Sequence, residues 1–273
     1  MDALYLYCIR EKTEDTSEFG TRGIDGKNDV FTIIYRELEA VVSRVFFPEF
    51  ASEEIQKKAL EDLNWIKGKA VIHEDVIEEA MRGPDGFVNV IPMRFGIIFK
   101  SKAGLKEVIH GDYEKMRGLL NKVRGRQEWG VKIYLADGGR FELTVKETND
   151  EIRSKEKELA SMPEGMAYFM EEELQEALRS EVNKALDTLL ENAFGKLGEE
   201  AAESVKTNII DREITGKAER MVLNTAFLVD ADRVYSFKNT LEGINKDMKP
   251  KGLRLEYSGP WPPFNFACVG EKA

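Results

Sequence analysis

Leu4-Tyr5-Leu6-Tyr7-Cys8-Ile9 is apolar at every position and rich in β-favouring residues. A strand with one face in water alternates polar and apolar side chains, so an unbroken apolar run predicts a central strand covered on both sides. Downstream of it, a polar stretch with Gly20, Gly23 and Gly26 reads as a loop, and Val30 to Tyr35 and Leu38 to Phe46 read as two further strands. Ser52 followed by Glu53 and Glu54 predicts a helix start, because the hydroxyl accepts a free backbone N–H and the acids suit the positive end of the dipole. Apolar positions from Ile55 to Met81 recur near a 3.6 period until Gly83-Pro84, and Gly68 marks a place for a kink or division.

A strand region over 87–99 is interrupted by Pro92, which lacks the ladder donor and therefore belongs at an edge or a bulge. Ser101 caps a second helix that runs to Val123, and Trp129 to Leu135 returns as a strand. That order, β, two β, α, β, α, β, fits an antiparallel sheet with helices on one face, a ferredoxin-like plan with an added strand. The fold class is thus α+β in two domains, 1–147 and 148–273. The second opens with a long helix, Met166 to Leu197, and continues β, β, α, β to Tyr257, close to another ferredoxin-like unit with a Pro/aromatic tail.

At 273 residues the chain exceeds what one core usually organises, and 42% hydrophobic with 33% charged residues is a globular composition. No apolar run approaches the roughly 20 residues of a membrane span, and the N-terminus lacks a signal-peptide pattern, so a cytoplasmic location without membrane partners is expected. The net charge is −10, and −9 of it falls within residues 147–206, where 16 acids face 7 bases. That balance argues against nucleic acid, whose backbone is bound through Lys and Arg.

Catalytic chemistry finds little footing. There are two histidines, His73 and His110, and two cysteines, Cys8 and Cys268, without metal-ligand spacing; Cys8 reads as a packed strand thiol. His73-Glu74 lacks the second histidine of a zinc-protease helix and reads as a helix-surface or interface pair. No phosphate loop or serine elbow occurs, so no enzyme activity, metal or cofactor is expected.

Three constellations stand out. In Pro92-Met93-Arg94-Phe95-Gly96 an arginine sits in an apolar strand and needs a partner if buried; Glu128 in Glu128-Trp129-Gly130-Val131-Lys132 is the acid expected to pair with Arg94. Gly259-Pro260-Trp261-Pro262-Pro263-Phe264-Asn265-Phe266 should lie as an extended strap, packed on its own domain or docking an apolar partner. Partner-binding candidates are therefore Trp261, Phe264, Phe266, Arg94, Phe95 and Trp129.

Together with Tyr5-Leu6-Tyr7 and the Trp65 to His73-Glu74 helix, these constellations resemble the GvpF/GvpL family of gas vesicle proteins, in the family's order and over nearly the whole chain. Met93 stands where that family often has Leu, Ile97 where Thr is common, and Phe264 where Tyr is usual. The resemblance implies a modified ferredoxin-like first domain and a second α+β domain ending in the aromatic tail. It also implies a non-enzymatic role in gas vesicle assembly, through contacts with the hydrophobic shell protein GvpA and other accessory Gvp proteins. A scaffold that binds only accessory proteins through its acidic helix, and an RNA-binding ferredoxin-like sheet, are the competing readings.

Overall fold

Strand β1 (Asp2–Glu11) is central, as its composition predicts: Tyr5, Leu6, Tyr7, Cys8 and Ile9 are all buried. The computed structural model describes residues 2–13, 19–50, 58, 61–83, 86–211 and 216–268. On one side β1 pairs antiparallel with β3 (Leu38–Phe46), which pairs in turn with edge strand β2 (Val30–Tyr35). A short helix α1 (Phe47–Phe50) follows β3.

Helix α2 (Leu63–Ala80) is capped by Asp62, whose Oδ1 accepts from the N–H groups of Asn64 and Trp65 at 3.1 and 3.0 Å. The start expected at Ser52 lies outside the described residues, as does Pro84. The helix runs through Gly68 without dividing. A small ribbon, β4 (Arg82–Gly83) and β5 (Gly86–Phe87), leads to β6 (Val90–Pro92) and β7 (Ile98–Phe99), which pair with β1 on its free side.

Ser101 caps α3 (Lys102–Gly111) by accepting from the Gly104 N–H at 3.1 Å. The single helix expected to Val123 is two, because the chain leaves helical geometry at Asp112 and restarts as α4 (Tyr113–Val123). The break follows Gly111, a poor helix former, and lets both Tyr113 and Met116 bury.

Helices on one face were expected; they cover both. The β1–β3 register shifts between Leu6 and Cys8. Ala3, Tyr5, Tyr7 and Cys8 pack under α2 with Val76, Ile77 and Ala80, whereas Leu6 and Ile9 pack under α3 and α4 with Leu105, Ile109, Met116 and Leu120. Each such aliphatic side chain contributes about 1.5–3 kcal/mol when withdrawn from water, so a two-faced apolar strand calls for two helical layers.

Residues Trp129–Leu135 form the core-lining part of β8 (Arg126–Leu135), which joins a second sheet rather than closing the first. The strands β9 (Glu203–Lys206), β10 (Arg220–Asp230) and β11 (Leu253–Trp261) complete it in the order β11-β8-β10-β9. Between β8 and β9 run α5 (Gly138–Thr148), α6 (Asp150–Ala160) and the 35-residue α7 (Glu164–Gly198); α8 (Val234–Met248) precedes β11. The expected α7 stripe includes Met166 and Phe169, whose side chains lie outside the description. Phe141, Leu186, Leu190, Phe237 and Leu241 pack on Val131, Ile133 and Phe227 of this sheet.

The result is a mixed α/β protein with antiparallel sheets, in two compact units. One comprises Met1–Glu128 with Pro260–Ala273, the other Trp129–Gly259. This differs from the boundary expected after residue 147 in two ways: the strand at 129 belongs to the second unit, and the tail belongs to the first.

Candidate functional site

Where β6 gives way to β7, the edge of the first sheet carries an insertion. Pro92 faces Cys8 and Ile98 faces Tyr5, so residues 93–97 stand opposite only Leu6 and Tyr7. Backbone bonds close both ends, Met93 N–H to Tyr7 O at 2.8 Å and Leu6 N–H to Ile97 O at 2.9 Å, and Arg94-Phe95-Gly96 loop out between them. Gly96 takes φ 90°, a conformation that favours glycine. The proline reading holds on both counts, since Pro92 is on an edge strand and beside a bulge.

A buried polar chain holds that bulge. The Gly96 N–H donates to the Tyr5 hydroxyl at 3.0 Å, Tyr5 Oη lies 3.0 Å from His73 Nδ1, and His73 Nε2 lies 3.0 Å from Met93 O. A carbonyl only accepts, so Nε2 carries the proton and Nδ1 accepts from Tyr5; each group is used once in each role. Burial pushes the His73 pKa down to about 4, in keeping with the neutral ring this pattern needs. Phe95 packs edge-on to both Tyr5 and His73, at ring distances of 6.1 and 5.8 Å. His73 is therefore a core residue rather than part of the helix-surface or interface pair expected, because α2 turns it toward β1.

A second polar clamp fastens the tail. Glu128 is buried, and its two carboxylate oxygens accept from the Asn265 N–H at 3.0 Å and from Asn265 Nδ2 at 2.7 Å. Burial pushes its pKa up to about 7 despite those bonds, and the charge of Glu74 raises it further. Glu74 is itself pushed up to about 7, first by burial and then by Glu78 and Asp75.

The expected Arg94–Glu128 pair does not form: Glu128 is taken by Asn265, and Arg94 is exposed at the bulge tip. The arginine that does need a buried acid is Arg10, whose Nε donates to Glu39 at 2.7 Å and whose guanidinium also donates to Ala80 O at 2.6 Å. Its polar place at the end of an apolar strand was the available signal.

The six partner-binding candidates separate by burial. Phe264 packs against the core under α2, and Phe266 is buried with Lys122 Nζ 5.8 Å from its ring centre. Trp129 is buried in the core of the second unit, with Lys238 Nζ 4.3 Å from its ring centre. These three serve packing, since an apolar ring gains most where water is excluded. Arg94 is exposed, Phe95 is half-buried, and Trp261 is 37% exposed. On the outer face of the second sheet Tyr134 is buried beneath Lys217 and Arg254, 4.5 and 5.0 Å from its ring centre. That ring offers no open face for a base to stack on.

A family model described as gas vesicle synthesis protein GvpL/GvpF matches residues 3–268. The chain belongs to the GvpL/GvpF family. It is 26% identical over 270 residues to gas vesicle protein F of Haloferax mediterranei, covering 98% of this chain and 94% of that one. It is 24% identical over 268 residues to gas vesicle protein L of a Streptomyces species, covering 98% and 94%. The fold is similar to the crystal structure of GvpF from Anabaena, with a TM-score of 0.75 at 20% identity, covering 99% of this chain and 100% of that one. Membership of the GvpL/GvpF family assigns the chain a role in gas vesicle formation, and no helix among the described residues is long and apolar enough to cross a membrane.

Proposed function

We propose that this chain is a non-enzymatic assembly protein that works at the gas vesicle in the cytoplasm by binding the hydrophobic shell protein GvpA and other gas vesicle proteins. The observation that carries the reading is the family match over residues 3–268, which takes in both the clamped bulge and the clamped tail. A shell that encloses gas needs an apolar inner surface, so its subunit is prone to aggregate before assembly. Exposed contacts on a folded accessory protein suit the task of holding or seeding such a subunit. Arg94, Phe95 and Trp261 are the surface contacts of this reading, with Phe264, Phe266 and Trp129 supporting them from within. The second unit's β-α-β-β-α-β order, with its first strand between its fourth and third, supports reading it as ferredoxin-like.

Capture of purified shell protein on the immobilised chain tests the contact. Truncation after Tyr257 is a poor probe, because it strips Glu128 of Asn265 and Phe264 from the core. Trp261→Ala alters an exposed ring instead, and should weaken capture by roughly tenfold if the ring docks. Undiminished capture removes the tail from the interface. Expression of a complete vesicle gene set with and without the chain tests the role itself, and normal flotation in its absence defeats it.

A further inference from the structure

Among the described residues, three of the four edges of the two larger sheets are blunted against further pairing. Pro92 and the bulge interrupt the β6/β7 edge, β11 carries Arg254, Glu256 and Pro260, and β9 is four residues long with Glu203 and Lys206 at its ends. Charge, proline, bulges and shortness are the means by which a sheet edge is kept from pairing with another chain. The remaining edge, β2, has none of them. Val30-Phe31-Thr32-Ile33-Ile34-Tyr35 is uncharged and free of proline, and it pairs with β3 at six consecutive positions without a shift.

The register identifies the open backbone groups. The Lys12 N–H donates to Glu37 O at 2.8 Å, so Glu37, Glu39 and Val41 turn their backbone groups toward β1, and Leu38, Ala40 and Val42 turn theirs toward β2. Tyr35, Ile33 and Phe31 are the partners of those three, which leaves the N–H and C=O groups of Thr32 and Ile34 pointing outward, without a partner among the described residues. Phe31 and Ile33 pack under α3 and α4 and Val30 packs under α2, whereas Ile34, on the α2 side by alternation, is 46% exposed.

We infer that this edge is taken by a second copy of the chain, with β2 beside β2 in antiparallel about a twofold axis at Thr32, so that one sheet runs through both copies. In that register Thr32 faces Thr32, Phe31 faces Ile33 and Val30 faces Ile34 of the second copy. Thr–Thr and aromatic–β-branched pairs are favourable cross-strand neighbours, and a surface that complements itself suits a twofold interface. Charge sets the direction and the register. Asp29 precedes the strand and Arg36 follows its end, so antiparallel pairing brings unlike charges together where parallel pairing would set like beside like. Sliding the copies by two residues would instead set Asp29 across from Glu37. The Arg36 guanidinium lies over the rings of Tyr35 and Tyr113, 5.5 and 4.9 Å from their centres, which leaves its N–H edge for a carboxylate, and Asp29 gives only Oδ1 to Arg22.

Sedimentation of the full chain over a range of concentrations reads the association, and a reversible monomer–dimer equilibrium is expected. Ile34→Lys puts a charge at an exposed position, and Thr32→Pro removes an N–H that β3 does not use; each should weaken the dimer by about tenfold or more, with the unfolding midpoint of Ile34→Lys unchanged. In a Cys268→Ser background, with Cys8 buried, Thr32→Cys should cross-link two copies on oxidation, because hydrogen-bonded partners have Cα atoms about 5.5 Å apart, within reach of a disulfide. Ile34→Cys, set opposite Val30, should not. A chain that is monomeric at every concentration overturns the inference, as does a dimer that neither Ile34→Lys nor Thr32→Pro weakens, or one that cross-links through Ile34→Cys and not through Thr32→Cys. If a monomeric chain captures purified shell protein and Ile34→Lys abolishes the capture, the edge belongs to a strand of another protein and the pairing of copies is overturned as well.

Discussion

Tyr5→Phe isolates the polar chain behind the bulge. The substitution keeps the ring and its contacts with Phe95 and Phe50, and deletes one hydroxyl from a fully buried residue. Two groups lose their partner at once: the Gly96 N–H, now without an acceptor, and His73 Nδ1, now without a donor. A buried polar group left unpaired costs about 1–3 kcal/mol, and the Gly96 end is only half-buried, so the sum is about 2–4 kcal/mol. Tyr35→Phe is the internal reference. Its hydroxyl bonds His110 Nδ1 at 2.7 Å at an exposed site, where water replaces the lost partner, and it should cost less than about 1 kcal/mol. Because two units need not unfold together, hydrogen exchange at the Leu6 and Met93 amides is the appropriate assay. Those amides close the ends of the insertion and report the opening free energy of the first unit directly. If Tyr5→Phe exchanges no faster than Tyr35→Phe, the polar chain does not hold the bulge and the argument built on it fails.

Other expectations follow from the same contacts. Glu128 has a folded pKa raised to about 7 above its ordinary 4.5, so its contribution is fully present below pH 4.5 and is lost as the pH rises through 7. Glu128→Gln abolishes that titration, and its stability relative to the unaltered chain should rise by about 2 kcal/mol between about pH 5.5 and 8 in urea unfolding; a constant difference would contradict the shift. His73 runs the other way: with its pKa lowered to about 4, stability present above 6.5 is lost as the pH falls toward 4, and His73→Gln should flatten that acid limb. Cys8 is buried and its thiol is pushed up to about 12, whereas Cys268 is half-buried, so a thiol-reactive dye should label Cys268 alone in the native protein and both after unfolding. Gly252 takes φ 82°, and a Cβ there would meet the Asp137 carbonyl oxygen at 2.4 Å while Gly252 O accepts from the Ala136 and Asp137 N–H groups. Gly252→Ala should therefore destabilise the second unit by about 2 kcal/mol or more, read as a lower unfolding midpoint, and an unchanged midpoint would show that the turn yields.

Much of the fold is legible in composition and period. The unbroken apolar run of β1, the Ser101 cap and the proline at an edge each rest on a local rule that the structure obeys. Where reading the chain went astray, a choice between distant partners was involved. Trp129–Leu135 has the same β pattern whichever sheet it joins, and Asp112 ends a helix at a place where apolar spacing continues unbroken. Glu128 is the acid that the sequence offers to Arg94, yet the partner it takes lies 137 residues away, and Asn265 carries no charge to advertise the bond.

Sequence alone determined that β1 is a central strand buried on both faces, that a helix starts at Ser101, that Pro92 lies at an edge or bulge, and the family, because hydrophobic period, capping chemistry and motif order are local properties written in the letters. Tertiary structure alone decided which sheet each strand joins, which of two arginines is buried, and that Tyr5, His73 and the backbone at Met93 and Gly96 form one hydrogen-bonded chain. Those outcomes depend on side chains far apart in the chain finding a partner once water is excluded, and no local pattern specifies which one they find.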